Sequence, residues 1–106
     1  MDRFNWKNKN GTSDRSCNCG SWKNHWTRFS NKEWPDICRI DGCNNRAEVG
    51  AHIIGGGSRL EYIIPACRAC NNRVDVFNIK SIGDLVIANK RITCGSTVIR
   101  SSVMTE

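Results

Sequence analysis

The sequence predicts a small α+β protein built on a ββα core, with a short helix before the core and short strands after it. Two cysteine pairs frame the predicted core: Cys38 and Cys43 have C-x4-C spacing, and Cys67 and Cys70 have C-x2-C spacing. Between the pairs lie two short apolar runs separated by three consecutive glycines, a pattern typical of a β-hairpin. Close cysteine pairs in a chain without a secretion signal favour zinc over disulfides, so the core is predicted to be zinc-stabilised.

The elements of this core follow from the residues between the cysteine pairs. Val49 to Ile54 is expected to pair with Leu60 to Ile64 across the glycines, and a short helix is expected after Cys70. Four thiolates in two close pairs are the ligand set of a tetrahedral structural zinc. Two disulfides or four buried thiols are the alternative. A chain of 106 residues buries only a modest core, which a metal would reinforce.

The stretch from Cys38 to Asn72, roughly a third of the chain, resembles the zinc-binding branch of the HNH, or His-Me finger, nucleases. It contains a cysteine pair, a strand with His-Ile, a glycine-containing loop, a second strand, and C-x-x-C followed by Asn. The resemblance implies that His52 is the general base that activates water, and that Asn71 is a ligand of a divalent ion such as Mg²⁺. Zinc is then purely structural.

Two positions depart from that family pattern. Ala51 stands where the family has a metal-binding Asp or His, and Tyr62 stands where it has a central Asn. Glu61 is the candidate replacement, as a ligand or an orienting group, and its alternative role is that of a solvent-facing strand residue. For His52, the alternatives to a general base are a further zinc-type ligand or a hydrogen-bonded structural histidine.

The remaining cysteines suggest a second metal site. Cys17 and Cys19 form a C-x-C pair, His25 follows shortly after, and Cys94 is otherwise unpaired. These four side chains are predicted to hold another zinc that ties both ends of the chain to the central unit, so that the protein carries one or two Zn²⁺. The alternative is three reduced cysteines, some of them buried.

An aromatic stripe predicts the helix that precedes the core. Trp22, Trp26 and Phe29 recur at i, i+4 and i+7, which places them along one face of a helix from about Ser21 to Phe29. Ser21 or Gly20 is the expected cap. Core packing is the expected role of the stripe, and stacking on nucleic-acid bases is the alternative.

The charge of the chain favours a polyanionic partner. Lys and Arg number 16 and Asp and Glu number 10, which gives a formal net charge of +6. Arginines around the cysteine pairs are the candidate nucleic-acid-binding residues, with solvated loop charges as the alternative. They are Arg46, Arg59, Arg68 and Arg73.

Two regions are expected along the chain. Residues 1–15, rich in Asn and Lys, are predicted to form a loosely ordered basic arm, and residues 16–106 a single domain. No stretch is long and apolar enough to span a bilayer, and the N-terminus does not resemble a signal peptide. The expected location is the cytoplasm of a bacterium or of a phage-infected host.

Two functions are compatible with these features. In the first, the protein binds or acts on nucleic acid, as a metal-dependent endonuclease or as a binding descendant of one. In the second, an inactive HNH-like module binds a protein or a nucleoprotein complex, for example as a phage-encoded inhibitor of a host defence complex. The presence of His52 and Asn71 favours the first function, and Ala51 favours the second.

Overall fold

A computed structural model describes residues 1–9 and 21–88 of the chain. Among these residues, four antiparallel strands form one sheet in the order β1-β2-β3-β4. The strands span Trp6–Asn8 (β1), Val49–Gly55 (β2), Tyr62–Ala66 (β3) and Val86–Ile87 (β4). Helix α1 spans Trp22–Ser30, helix α2 spans Arg68–Asn71, and a 3-10 turn spans Ile82–Asp84. The predicted α+β class is confirmed.

The central hairpin joins β2 to β3 through the glycine-rich loop. His52 pairs with Ile63 in an antiparallel register. Gly55, Gly56 and Gly57 have φ angles of 129°, 59° and 77°, a region that glycine adopts without the steric cost of a side chain. The second strand begins later than the sequence predicts, because the Leu60 amide still donates a hydrogen bond to a serine hydroxyl of the loop.

Alternation along β2 gives the sheet two different faces. Ala51 and Ile53 lie on one face, called here the cysteine face because buried cysteines belong to the same core cluster. His52 lies on the opposite face, called here the helix face, where its ring meets that of Trp22 at a centroid distance of 5.3 Å. Helix α1 packs against β2, β3 and β4 on that side.

Helix α1 forms where the aromatic stripe predicts it. Its N-cap is Ser21, whose hydroxyl accepts a hydrogen bond from the Asn24 amide at 3.0 Å, and it ends before Asn31, which adopts a left-handed φ of 59°. Trp26 is buried, and its indole donates a hydrogen bond to the Asp84 carbonyl at 2.7 Å. The stripe therefore packs in the core, as expected.

The N-terminal segment differs from the sequence prediction. Residues 6–8 form β1 at the edge of the sheet, and Trp6 is fully buried beside β2. Its indole lies against Gly56, where an added Cβ would come within 2.2 Å of the ring. The sequence did not predict a strand here; the glycine loop leaves space for the indole, and burial of the indole outweighs the polar composition of the segment. Residues 10–15 of the predicted arm lie outside the described residues.

The predicted C-terminal strands are present in part. Phe77 forms an isolated bridge with Trp6, Ile79 forms one with Ile40, and β4 follows the 3-10 turn. The remainder of that prediction concerns residues beyond Ala88, outside the described part of the chain. None of the helices in residues 1–9 and 21–88 has the length and apolarity needed to cross a membrane.

Candidate metal centre

Four cysteine sulfurs meet against the cysteine face of the sheet. The Sγ atoms of Cys38, Cys43, Cys67 and Cys70 all lie within 4.8 Å of one another, and those of Cys43 and Cys67 are 3.8 Å apart. Zinc–thiolate bonds of about 2.3 Å in a tetrahedron place neighbouring sulfurs about 3.8 Å apart. All four residues are free cysteines, so the disulfide alternative does not describe them. Within the described residues, this is the one cluster of three or more such side chains close enough to bind one ion.

The first cysteine pair is shaped by a tight turn. The Cys38 amide donates to the Asn45 carbonyl at 2.8 Å, and the Cys43 amide donates to the Ile40 carbonyl at 3.2 Å. Between the cysteines, Gly42 has a φ of 81°, which suits a residue without a Cβ. The turn reverses the direction of the chain and brings the Sγ atoms of Cys38 and Cys43 close together.

The second cysteine pair lies at the start of α2: the sequence predicts a helix after Cys70, but the helix begins at Arg68 and contains Cys70. Cys67 is the N-cap, and its sulfur accepts a hydrogen bond from the Cys70 amide at 3.3 Å. Asn8 of β1 donates its side-chain amide to the carbonyls of Cys70 and Arg73, at 2.8 and 2.9 Å. The edge strand therefore fixes the end of α2, a role for Asn8 that no sequence pattern indicates.

Burial and hydrogen bonding give the thiols different acidities. Burial acts to raise the pKa of Cys67, but hydrogen bonds from Cys70, Asn45 and Cys43 outweigh it and lower that pKa to about 7. Burial raises the pKa of Cys70, and its hydrogen bond to Cys67 raises it further. Burial also raises the pKa of Cys38. A cation that binds these sulfurs must therefore displace the protons that burial favours on Cys38 and Cys70.

Lys80 is a basic residue of this site that the sequence analysis missed. Its ammonium group donates hydrogen bonds to the carbonyls of Cys38 and Cys43, at 2.8 and 2.6 Å. It thereby ties together the two ends of the first turn and places a positive charge beside the cysteines. Because Lys80 is 37 residues from Cys43 in sequence, no local motif could have identified it.

A second polar cluster lies on the helix face. His52 Nε2 lies 2.7 Å from Glu61 Oε1, and the Lys9 ammonium group contacts Glu61 Oε2. Because an ionised carboxylate only accepts, Nε2–H is the donor to Glu61. The His52 side chain is 2% exposed and that of Glu61 is 35% exposed. The structure therefore brings these two predicted residues together, with Glu61 as the more accessible member.

Asn71 does not lie near the His52–Glu61 cluster. It is the last residue of α2, whose Cys70 packs in the core cluster of the cysteine face, whereas His52 lies on the helix face. Ala51 also belongs to the cysteine face and is 1% exposed. A substituent at Ala51 would therefore extend away from His52, not toward it.

The predicted second zinc site is described only at His25. Cys17, Cys19 and Cys94 lie outside the described residues. His25 is fully buried, and its Nε2 donates to the Ile87 carbonyl at 2.8 Å. Burial lowers the pKa of His25, which favours the neutral ring.

The predicted nucleic-acid-binding arginines differ in their surroundings. Arg46, Arg59 and Arg68 are exposed. Arg73 makes two hydrogen bonds to Asp75, at 2.9 and 2.6 Å, so its charge is already paired. The structure therefore leaves three of these four side chains at the surface without an ion pair to another described residue.

Comparisons with protein-family models, with curated proteins and with solved structures find no match to this chain. The HNH resemblance therefore stays a prediction from the sequence. Together, the fold and the site define a small α+β protein with a four-cysteine cluster that could bind a metal ion such as zinc.

Proposed function

We propose that this protein is a zinc-stabilised, HNH-like domain that binds nucleic acid through its basic surface. The observation that carries the proposal is the convergence of four cysteine sulfurs within 4.8 Å of one another. An all-thiolate, closed tetrahedral set is the preferred environment of structural zinc and leaves no open position for a substrate. The metal therefore holds the fold, and function belongs to the surface.

The order of elements around the cysteines supports the HNH-like part of this proposal. The first cysteine pair precedes β2, the hairpin follows, and the second pair opens α2 directly after β3. This is the ββα order that the resemblance implies. The chain's net charge of +6 supports a polyanionic partner.

Binding without hydrolysis is the form of the proposal that the site chemistry favours. A general base must reach the water that it deprotonates, but the His52 imidazole is 2% exposed and its Nε2 bonds to Glu61. Asn71, the implied ligand of a catalytic ion, belongs to the helix on the opposite side of the sheet. The endonuclease hypothesis lacks the assembled ligand set that phosphodiester hydrolysis requires.

The test combines metal analysis with binding and cleavage assays on the same preparation. Purified protein is expected to contain at least one zinc per chain and to shift labelled DNA or RNA at low salt. The logarithm of its affinity should fall nearly linearly with the logarithm of the salt concentration. Incubation with Mg²⁺, Mn²⁺ or Ni²⁺ should leave the nucleic acid intact. Metal-dependent cleavage that disappears in His52→Ala would restore the endonuclease hypothesis.

A protein or nucleoprotein partner is the second candidate function. Several large apolar side chains are exposed among the described residues, including Val74 at 93% and Val76 at 55%. A complex formed through such side chains would depend only weakly on salt. Failure to bind any nucleic acid at low salt, in folded and zinc-loaded protein, would favour this alternative.

A further inference from the structure

A groove lies on the helix face of the sheet, beside the edge strand β1. Helix α1 covers β2, β3 and β4, and the groove lies next to the edge strand. It encloses about 390 Å³, within the range of about 300–1,000 Å³ that is usual for ligand sites. Its walls combine cationic and apolar side chains. The residues used below are Lys7, Lys9, Ile54, Arg59, Leu60, Glu61 and Val76.

Two cationic side chains of this groove are available to bind an anionic ligand. The one carboxylate, that of Glu61, has both oxygens engaged, one by His52 Nε2 and the other by the Lys9 ammonium group. Lys7 and Arg59 are exposed and have no carboxylate partner among the described residues. The groove therefore attracts anions through Lys7 and Arg59, while the buried histidine and Lys9 hold Glu61 in place.

The apolar part of the groove restricts the kind of anion that fits. Leu60 is 46% exposed and Val76 is 55% exposed, and both line the groove together with Ile54. A duplex presents phosphates to such a surface but keeps its bases stacked inside, whereas a single strand offers an unstacked base as well. A phosphate between the two cations would match the charged part of the groove, and a base on the apolar wall would match its apolar part.

The geometry points to this groove as the contact site for a single-stranded nucleic-acid segment, with Lys7 and Arg59 on its phosphates and Leu60 and Val76 against a base. This inference rests on the proposed nucleic-acid-binding function and deepens it by naming the surface and the strandedness. The four arginines singled out from the sequence contribute only Arg59 to it. The groove forms only in the folded chain, where β1 lies beside the hairpin.

Fluorescence anisotropy with labelled oligo(dT), oligo(U) and a duplex of equal length tests the assignment. The double variant Lys7→Gln/Arg59→Gln should bind both single strands roughly tenfold or more weakly, and its salt slope should fall by about 1.4 because two phosphate contacts are lost. Leu60→Ser should weaken single-strand binding without changing the salt slope. The matched control, Lys23→Gln/Lys32→Gln, removes the same charge at two exposed positions that do not line the groove and should stay within about twofold of wild type.

All the substituted side chains are exposed, so each variant is expected to fold. Circular dichroism and zinc content check that it does. Unchanged affinity of the Lys7/Arg59 variant, with wild type binding normally, would overturn the groove and leave the proposed function standing. A larger loss in the Lys23/Lys32 control would also overturn it, as would tighter binding of the duplex than of either single strand. Failure of wild type to bind any of the three probes would overturn both proposals.

Discussion

At the scale of single residues, Lys80 shows how a side chain distant in sequence can support the four-cysteine cluster. Four thiolates around one zinc carry a net charge of −2, and the Lys80 ammonium group lies beside them on the carbonyls of Cys38 and Cys43. Its charge opposes that of the cluster, and its two hydrogen bonds hold the first turn in the shape that metal binding needs. Lys80 would therefore act on a bound metal through the cysteine backbone.

Replacing Lys80 by Met is expected to weaken zinc binding about tenfold, because hydrogen bonds to a charged group contribute about 1.5–3 kcal/mol and a tenfold change is about 1.4 kcal/mol. Competition with a chromophoric chelator measures the affinity. Lys32→Met is the matched control, since Lys32 also donates to a carbonyl, that of Gly83 at 2.8 Å, but away from the cysteines. Equal zinc affinities in the two variants would contradict the assignment.

Ala51 provides a second prediction at this scale. By the HNH resemblance, Ala51→Asp would restore a missing ligand, but the structure places Ala51 at 1% exposure on the cysteine face. A buried carboxylate without a cation is costly, so the substitution should destabilise the fold by about 3 kcal/mol or more and confer no cleavage. Urea unfolding measures the difference. Ala69→Asp, at an exposed position of α2, should change stability by less than about 1 kcal/mol.

At the scale of elements, the edge strand depends on the hairpin loop. Trp6 of β1 is fully buried, donates its indole N–H to the Asp2 carbonyl at 2.8 Å, and packs edge-on against Tyr62 with ring centroids 5.6 Å apart. The indole occupies the space that a side chain at Gly56 would need. The loop glycines therefore serve both the turn and the packing of β1.

The variants Gly56→Ala and Gly57→Ala separate the contribution of the glycines to the turn from their contribution to the packing of β1. Both positions have positive φ, so each substitution incurs a left-handed strain of about 1–2 kcal/mol. Only at Gly56 would the new Cβ collide with the Trp6 ring, whereas nothing lies within 4 Å of it at Gly57. The Gly56 variant should therefore be less stable than the Gly57 variant by a further 1–3 kcal/mol or so, measured by urea unfolding. Equal stabilities would show that β1 is not packed as described.

At the scale of the whole molecule, the metal is expected to decide whether the chain folds. A structural zinc contributes about 10–16 kcal/mol to zinc-finger peptides, which matches or exceeds the total stability of a typical small domain. Chelation should therefore unfold the protein, and Cys67→Ser should do the same, as followed by circular dichroism. Cooperative melting at an unchanged temperature in excess chelator would contradict a structural metal.

Zinc content tests the predicted second site. The cluster of Cys38, Cys43, Cys67 and Cys70 could hold one ion per chain. If Cys17, Cys19, His25 and Cys94 hold another, elemental analysis should give two ions, falling to one in Cys94→Ser. One zinc in wild type, unchanged by Cys94→Ser, would exclude the second site.

Several features of this protein were determined by local sequence. The spacing of the cysteines predicts their two close pairs, because the intervals are short and the first contains a turn at Gly42. The aromatic stripe and Ser21 predict α1, because helical periodicity and capping involve residues only a few positions apart. The hairpin follows from apolar runs around a glycine loop.

Other features were decided only by the tertiary structure. Three features depend on contacts between residues that are far apart in the chain. They are the pairing of β1 with β2, the hydrogen bonds from Lys80 to the first turn, and the placement of His52 and Asn71 on opposite sides of the sheet. A sheet has a period of two, so the register of one strand against its neighbours decides which face each side chain occupies. Local sequence therefore predicted which residues form the four-cysteine cluster that could bind a metal, and long-range packing decided which residues surround that cluster and where the open basic groove lies.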